Sequence, residues 1–178
     1  MDLNLHRLER AKKGDKKAQM ELYTAYSTAM YNTGLRILND RMEAEDAMHD
    51  AFLKAFTKLN DISGQVSFGA WLKRIVINTC LDKLKKQKPE LFNGDDQIID
   101  DTEDSIDVAE LDLEVRRVRT AINTLPDGYR NIVNLHLIEG FDHEEIAQIL
   151  GISSSTSRSQ YSRAKQVLRK NLMKAENV

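Results

Sequence analysis

The sequence predicts an all-α fold made of two small helical domains, one towards each end of the chain. Only two prolines and eight glycines occur among its 178 residues, and few stretches alternate apolar and polar residues as strands do. Apolar residues instead recur at three- and four-residue intervals. Between the helical stretches lies an acidic segment, residues 89–112, which is too charged to bury itself and predicts a flexible linker.

The first domain, residues 1–88, is predicted to begin with two helices. The first is short and ends near Gly14. Asp15 follows and can accept hydrogen bonds from the backbone of the next turn, which makes it the cap of a longer helix reaching about Leu38. The apolar stripe of that helix consists of Ala18, Leu22, Tyr26, Met30 and Ile37.

Two further helices complete this domain. Asp40 and Glu43 have the spacing of a capping box, and apolar residues then follow at three- and four-residue intervals as far as residue 59. After a polar loop, Ser67 can cap a fourth helix, which Pro89 prevents from continuing. Cys80 lies on the apolar side of this helix and is expected to be a small buried residue rather than a redox group.

The second domain, residues 113–178, is predicted to contain two packing helices below a helix-turn-helix. One packing helix stops at Leu125, before Pro126, and the other ends at Gly140. Together they give the helix-turn-helix a single modest core.

The helix-turn-helix is indicated by its punctuation. Asp142 and Glu145 have the spacing of a second capping box, Gly151 ends the short helix that they open, and Ser153 can cap a longer one. The inner face of the longer helix is predicted to carry Ser157, Tyr161, Ala164, Leu168 and Leu172. Ser157 is costly there unless its hydroxyl bonds to a carbonyl of its own helix.

Charge is segregated along the chain, although the formal net charge is only −2. Residues 73–88 contain six lysines or arginines and one acid, whereas residues 90–114 contain eleven acids and no base. Beyond Gly151 the chain is basic again, as far as residue 175. Basic helices of this kind suit a phosphate backbone, although a basic face is also common on a merely solvated helix.

Other features exclude several classes of protein. The chain has one cysteine, and its histidines, at positions 6, 49, 136 and 143, are scattered, so we expect no metal site, no cofactor and no disulfide. The sequence contains no phosphate-binding glycine loop and no nucleophile with a nearby base. It therefore does not indicate an enzyme. The sequence predicts no membrane insertion and no signal peptide, which favours a cytoplasmic protein.

Two motif sets resemble those of bacterial sigma factors of the extracytoplasmic-function (ECF) type. The first set is "MEAEDAMHDAFLKAF" with "FGAWLKRIVINTCLDKLKK", and the second runs from "LPDGYRNIV" to "SRAKQVL". The resemblance covers nearly the whole chain and identifies residues 1–88 with sigma region 2 and residues 113–178 with region 4. It implies a non-catalytic factor that directs RNA polymerase core to promoter DNA.

For region 2, the resemblance implies two surfaces. Docking on the beta prime clamp of the polymerase is assigned to Glu43, Glu45, Asp46, His49 and Asp50, with His49 where the family usually has Gln. Recognition and melting of the minus-10 element are assigned to Asn60, Asp61, Ser63, Trp71, Lys73, Arg74, Asn78 and Lys83. Trp71 can equally be a core residue, because it shares a stripe with apolar neighbours.

For region 4, the resemblance implies binding of the minus-35 element by the second helix of the helix-turn-helix. The residues assigned to this contact are Ser155, Thr156, Arg158, Ser159, Ser162, Arg163 and Lys165. Further partners that the resemblance implies are the beta flap of the polymerase and an anti-sigma factor.

A different class of protein stays open on the residues alone. A stand-alone helix-turn-helix regulator would bind an operator with its C-terminal domain and sense a ligand with its N-terminal one. That alternative explains the basic tail, but it leaves the acidic "EAED" helix and the basic "WLKR" helix without a role.

Overall fold

A computed structural model describes residues 3–62, 66–92 and 113–176, and within these ranges helices joined by short turns account for the chain, with no strand. The chain divides into two compact units, Met1–Gln87 and Lys88–Val178. The predicted all-α fold is confirmed. Most of the predicted linker, residues 93–112, lies outside the described residues.

Four helices form the first unit and four the second, counted over the described residues. The first unit contains α1 (Leu3–Lys12), α2 (Lys16–Leu38), α3 (Arg41–Thr57) and α4 (Phe68–Gln87), with a short 3-10 turn at Leu59–Asp61. The second unit contains a 3-10 turn at Pro89–Phe92, then α5 (Leu113–Asn123), α6 (Asp127–Val133), α7 (His143–Leu150) and α8 (Ser154–Glu176). The second packing helix predicted to reach Gly140 is shorter, since α6 gives way to a π-helical turn at Asn134–Ile138.

Side-chain caps begin the helices where the sequence predicts them. Asp15 accepts hydrogen bonds from two backbone amides at the start of α2, and these bonds together with Arg10 lower the pKa of its carboxyl. Asp40 accepts from the amide of Glu43 at 2.9 Å. Ser67 accepts from the amide of Ala70 at 3.3 Å. Because these side chains satisfy amides that a helix leaves unpaired, they set where each helix starts.

The core of the first unit is formed where α2, α3 and α4 pack against one another. Leu22, Leu72 and Leu81 are almost completely buried in it. Tyr26, predicted for the same stripe, is only half-buried and meets Phe68 edge-on, with ring centroids 5.2 Å apart. The unit therefore buries a mainly aliphatic core together with Phe52 and Phe68, and it places Tyr26 at the margin.

Cys80 belongs to this core, as predicted. Its side chain is buried, and a Cβ added at Gly34 would approach its Sγ atom to 3.4 Å, which shows how closely α2 and α4 pack there. Desolvation raises the pKa of the thiol to about 12. Since the thiolate is the reactive form, this cysteine is chemically inert at neutral pH.

The second unit has a smaller core with a buried charge beside it. Ile122, Leu125, Val133 and Ala164 form one buried cluster in it. Arg130 is only 3% exposed, donates to the carbonyl of Leu125 at 3.2 Å and pairs with Asp127. Burial alone would raise the pKa of Asp127, but the charges of Arg130 and Lys88 outweigh it and lower the pKa.

Candidate protein-docking and nucleic-acid interfaces

The acidic residues of α3 lie on the side opposite its buried face. Glu45, Asp46, His49 and Asp50 are all exposed. The buried side of the helix consists of Ala44, Ala47, Met48, Ala51, Phe52 and Ala55. Because residues three and four apart share a face of a helix, the exposed carboxylates form one continuous strip that a basic partner can reach. We call these four exposed residues the acidic strip.

Glu43, predicted to belong to the same surface, has a different environment. It is half-buried, and its carboxylate lies 3.5 Å from Nζ of Lys83 on α4. Lys83 was predicted to contact DNA. The structure thus pairs one residue from each predicted surface of region 2, and both are less available to a partner than the acidic strip.

His49 is held in place by α2. Its Nε2 atom lies 3.0 Å from the hydroxyl of Tyr23, and the two rings stack with centroids 6.1 Å apart. Tyr23 in turn packs against Phe52 at 4.8 Å. The imidazole therefore remains exposed but points in a defined direction, as a hydrogen-bonding residue at a docking surface should.

The residues predicted for the minus-10 contact come from the turn after α3 and from α4. Asn60 and Asp61 are exposed in the 3-10 turn, and Ser63 lies outside the described residues. On α4, Arg74 and Asn78 are exposed. The polar side of α4 therefore offers a cation and an amide, two groups that suit a nucleic-acid strand.

Three further residues assigned to the minus-10 contact are half-buried instead of exposed. These are Trp71, Lys73 and Lys83. Trp71 is neither fully buried nor fully exposed, and it packs at an angle against Phe68, with ring centroids 6.2 Å apart. Its remaining exposed surface is consistent with contact to a base.

The helix-turn-helix has the caps that the sequence predicts. Asp142 accepts from the amides of Glu144 and Glu145 at 2.8 Å, and the carboxylate of Glu145 accepts from the amide of Asp142 at 3.1 Å, which completes the capping box. Gly151 ends α7 in the left-handed region, at φ 72°. Ser153 then accepts from the amide of Thr156 at 3.0 Å to begin α8.

The outer face of α8 is exposed and polar. The exposed residues among those predicted for DNA are Ser155, Arg158, Ser159, Ser162, Arg163 and Lys165, while Thr156 is half-buried. Several of them are engaged locally: Ser155 and Thr156 bond to Ser153, and Ser159 donates to the carbonyl of Thr156 at 3.0 Å.

The cations of this face are also ordered by neighbours. Arg158 donates to Ser154 at 3.1 Å, and Nζ of Lys165 lies 4.7 Å above the ring of Tyr161. These contacts orient the two side chains along α8 while leaving them exposed. The arrangement suits contact with base edges and phosphates in a major groove.

Behind α8 lies a group of residues that sequence analysis did not bring together. Ser157 is completely buried on the inner face, as predicted, but its partner is Nδ1 of His143 at 2.9 Å rather than a carbonyl. His143 stacks on His136, and Tyr161 packs against both. The prediction that the histidines are scattered is therefore wrong for this pair. We call His136, His143, Ser157 and Tyr161 the histidine cluster.

Metal binding and membrane insertion find no support in the described part of the chain. No group of three or more histidine, cysteine or acidic side chains there could hold a metal ion. Nor is any helix in the described ranges long and apolar enough to cross a membrane.

Comparisons with known proteins agree with this arrangement. The family model described as Sigma-70 region 2 matches residues 22–90, and that described as Sigma-70, region 4 matches residues 115–168. The chain is 30% identical to the RNA polymerase sigma-H factor of Pseudomonas aeruginosa, over 93% of this chain and 91% of that one. It is 29% identical to the ECF RNA polymerase sigma factor SigW of Bacillus subtilis, over 93% and 95% of the two chains.

Solved structures share the fold. The sigma factor RpoE of Bartonella quintana, crystallised with the anti-sigma factor NepR, gives a TM-score of 0.62 at 23% identity, over 86% of this chain and 96% of that one. CnrH in complex with the cytosolic domain of CnrY gives 0.57 at 23% identity, over 98% and 99%. Because both sigma-70 family models match, and the sigma-H factor and SigW are 30% and 29% identical over nearly their full lengths, the chain belongs to the sigma-70 family and is an ECF-type RNA polymerase sigma factor.

Proposed function

We propose that this sigma factor docks on core RNA polymerase through the acidic strip and contacts promoter DNA through α4 and α8. The observation that carries the proposal is the sorting of exposed charge: the exposed face of α3 is acidic, whereas that of α8 carries Arg158, Arg163 and Lys165. Sigma factors are initiation factors and not enzymes, so the work of these surfaces is binding.

The docking partner of the acidic strip is the beta prime clamp. A basic coiled-coil surface is attracted by carboxylates aligned on one side of a rigid helix, and complementary charge also speeds association. Asp46 is the best single anchor, because it is exposed near the middle of α3 and its neighbours on the same helix bury the opposite face. Glu43 contributes less, since Lys83 already lies against it.

The minus-10 element binds along α4 and the turn that precedes it. Opening a duplex without ATP requires a protein to capture a base that has left the stack and to hold the single strand beside it. Asn60 and Asp61 offer polar groups for the base, Trp71 a half-exposed ring, and Arg74 with Lys73 positive charge along the strand. These assignments place base capture at the start of α4.

The minus-35 element binds α8 in its major groove. Arg158 and Arg163 carry the groups best suited to guanine or phosphate contact, because a guanidinium can donate two parallel hydrogen bonds. Ser155, Thr156 and Ser159 lie on the same side, close to the helix N-terminus, where backbone dipoles favour a phosphate.

Regulation by a protein inhibitor also fits this chain. Of the two solved structures named above, one is a complex of a sigma factor with an anti-sigma factor and the other is a complex of CnrH with the cytosolic domain of CnrY, and this chain shares their fold. We propose an anti-sigma partner, a contact of the C-terminal unit with the beta flap, and action in the cytoplasm, where the polymerase works. The stand-alone regulator is not favoured, because a region 2 match over residues 22–90 would have no purpose in it.

Co-purification with core polymerase tests the docking surface. Asp46→Lys reverses one charge of the acidic strip and should abolish co-purification, while the helical circular dichroism of the chain stays unchanged. The matched control is Glu9→Lys, which reverses an exposed carboxylate on α1 that accepts a hydrogen bond from Lys12 at 3.3 Å. Retained binding by Asp46→Lys would remove the docking assignment.

The same preparations test the DNA-binding surface. Arg158→Ala should weaken binding of the holoenzyme to a promoter duplex by about 1 to 3 kcal/mol, and only when the minus-35 element is intact. Arg169→Ala removes an exposed arginine further along α8, outside the predicted contact, and serves as the control. Equal losses for the two variants would show a general charge effect instead of a specific contact.

A further inference from the structure

The histidine cluster joins three segments of the second unit. His136 comes from the π-helical turn, His143 is the first residue of α7, and Tyr161 belongs to α8. The two imidazole rings stack with centroids 4.5 Å apart and 18° between their planes. The ring of Tyr161 lies 4.6 Å from His136 and 5.5 Å from His143. The cluster is therefore part of the contact that holds α8 against the rest of its unit.

Hydrogen bonds fix how both imidazole rings are turned. Nδ1 of His136 lies 2.8 Å from the carbonyl oxygen of Phe141, and because a carbonyl can only accept, this nitrogen carries a proton. Nδ1 of His143 lies 2.9 Å from Oγ of the completely buried Ser157. A buried hydroxyl requires a partner, and His143 supplies it. One polar bond thus links the first residue of α7 to the inner face of α8.

The surroundings of His143 disfavour a positive charge on its ring. The groups that face it are Asp142 at the start of α7, His136 on the π-helical turn, and Arg158, Tyr161 and Lys165 on α8. Loss of water lowers the pKa of His143, the cationic groups around it lower the pKa further, and Asp142 opposes them. The ring also stands at the N-terminus of a helix, where the backbone dipole repels a cation.

We propose that His143 is a positioning residue for promoter recognition, whose neutral ring holds α8 in the orientation that reads the minus-35 element and whose protonation weakens that hold. This inference rests on the proposed function of α8. A proton on each of two stacked imidazoles would place like charges a few ångströms apart, and moving the π-helical turn and α7 away from α8 relieves the repulsion. Acid therefore loosens the recognition helix on the side that packs against the rest of its unit.

The direction of the pH effect follows from the pKa of His143. The folded chain binds this proton less readily than the unfolded chain does, because the pKa is lowered from an ordinary value of 6.5. The contribution of the neutral cluster is complete above about pH 6.5 and decreases as the pH falls below that value. Promoter binding that depends on the minus-35 element should weaken over the same range.

Nuclear magnetic resonance of the full chain tests the cluster directly. The Hε1 resonance of His143 should titrate below the ordinary value of 6.5, and His136→Gln should move the His143 midpoint upwards. The His136→Gln variant removes the stacked neighbour and keeps the hydrogen bond between His143 and Ser157, so it probes the charge between the rings. A His143 midpoint at or above 6.5, unchanged by His136→Gln, would overturn the inference.

Promoter binding by the reconstituted holoenzyme tests the consequence. The probe is a duplex selected from a genomic fragment library at pH 7.5, used with its minus-35 element intact or scrambled, at constant salt. For the native chain, affinity for the intact duplex should fall about 3- to 10-fold more between pH 7.5 and 5.5 than affinity for the scrambled one. His143→Gln keeps a hydrogen-bonding group that does not titrate, and this variant should lose most of that difference, whereas His6→Gln should retain it.

The outcomes separate the inference from the function on which it rests. If the native chain and His143→Gln show the same pH dependence while scrambling still weakens binding at pH 7.5, the positioning role of His143 is overturned and the function of α8 stands. If scrambling has no effect even at pH 7.5, the proposed function of α8 fails and the inference fails with it.

Discussion

The two compact units are stabilised by cores of different chemistry. Most side chains that are completely buried in the first unit are aliphatic, among them Leu22, Leu72 and Ile77. In the second unit, the buried side chains also include Arg130, Asn131, Asn134 and Ser157. The first unit buries only threonines among the polar residues that the structure describes as buried.

Because of this difference, different kinds of substitution should destabilise the two units. An aliphatic core depends on filled volume, which pH does not change. A buried polar group depends on its partner, because losing the partner leaves it desolvated without compensation. We therefore expect the first unit to respond mainly to cavities and the second to changes of charge.

The largest expected effect is a cavity in the first unit. Leu72→Ala should lower its free energy of unfolding by about 4 kcal/mol, because Leu72 is completely buried between helices that cannot collapse fully around the void. The chain has one tryptophan, Trp71, so fluorescence during urea unfolding reports this unit. Helical circular dichroism reports both units, so only part of its transition should shift, and a shift of the whole transition would show that the two unfold as one.

Removing a buried partner should have a comparable but smaller effect in the second unit. Asp127→Ala leaves the guanidinium of Arg130 buried without its carboxylate, and we expect a loss of about 3 kcal/mol. Circular dichroism during urea unfolding should show this loss, whereas Trp71 fluorescence should keep its native midpoint. Arg130→Met, which removes the charge itself, should cost less. A larger loss for Arg130→Met would contradict the view that the uncompensated charge is the cause.

The stability of the two units should also depend differently on acid. The pKa of Asp127 lies below its ordinary value of 3.8, so its contribution is complete above that pH and is lost as the pH falls through the lowered pKa. The second unit should accordingly lose stability as the pH falls below about 3.8, by less than Asp127→Ala costs. Asp15 in the first unit also has a lowered pKa, but solvent screens its contribution. Asp127→Asn should remove this part of the pH dependence, and an unchanged profile would count against it.

The smallest expected effect concerns the turn of the helix-turn-helix. Gly151 has φ 72°, a conformation that costs a residue with a Cβ about 1 kcal/mol, although no atom lies within 4 Å of the place that a Cβ would take. Gly151→Ala should therefore destabilise the second unit by about that amount in urea unfolding. Gly128→Ala is the control, because its surroundings are equally open and its φ is ordinary for a side chain. It should be neutral or slightly stabilising.

Local signals in the sequence predicted most of the helical framework. Asp15, Asp40, Ser67 and Ser153 begin helices as predicted, because a capping side chain acts on amides two or three residues away. The acidic strip could be predicted for the same reason, since residues on one helix share a face at fixed spacing. The π-helical turn after α6 could not, because nothing in its composition distinguishes it from ordinary helix.

Contacts between helices were harder to predict. Glu43 and Lys83 are forty residues apart and were assigned to different surfaces, yet α3 and α4 bring them to 3.5 Å. Ser157 gave a partial signal, because a hydroxyl on an inner face must find a partner. Its spacing along α8 could not show that the partner would be His143.

The amino-acid sequence alone was enough to predict the helices, their caps and the exposed acidic and basic faces. The motifs in it were also enough to indicate the sigma-70 family. Those features depend on neighbours within about one helical turn, and such neighbours are written in the order of the residues. The tertiary structure was needed to show that His136 and His143 stack, that Ser157 bonds to His143, and that Arg130 and Asp127 share a buried site. These contacts depend on how helices cross, which follows from the packing of whole faces and not from any short stretch of sequence.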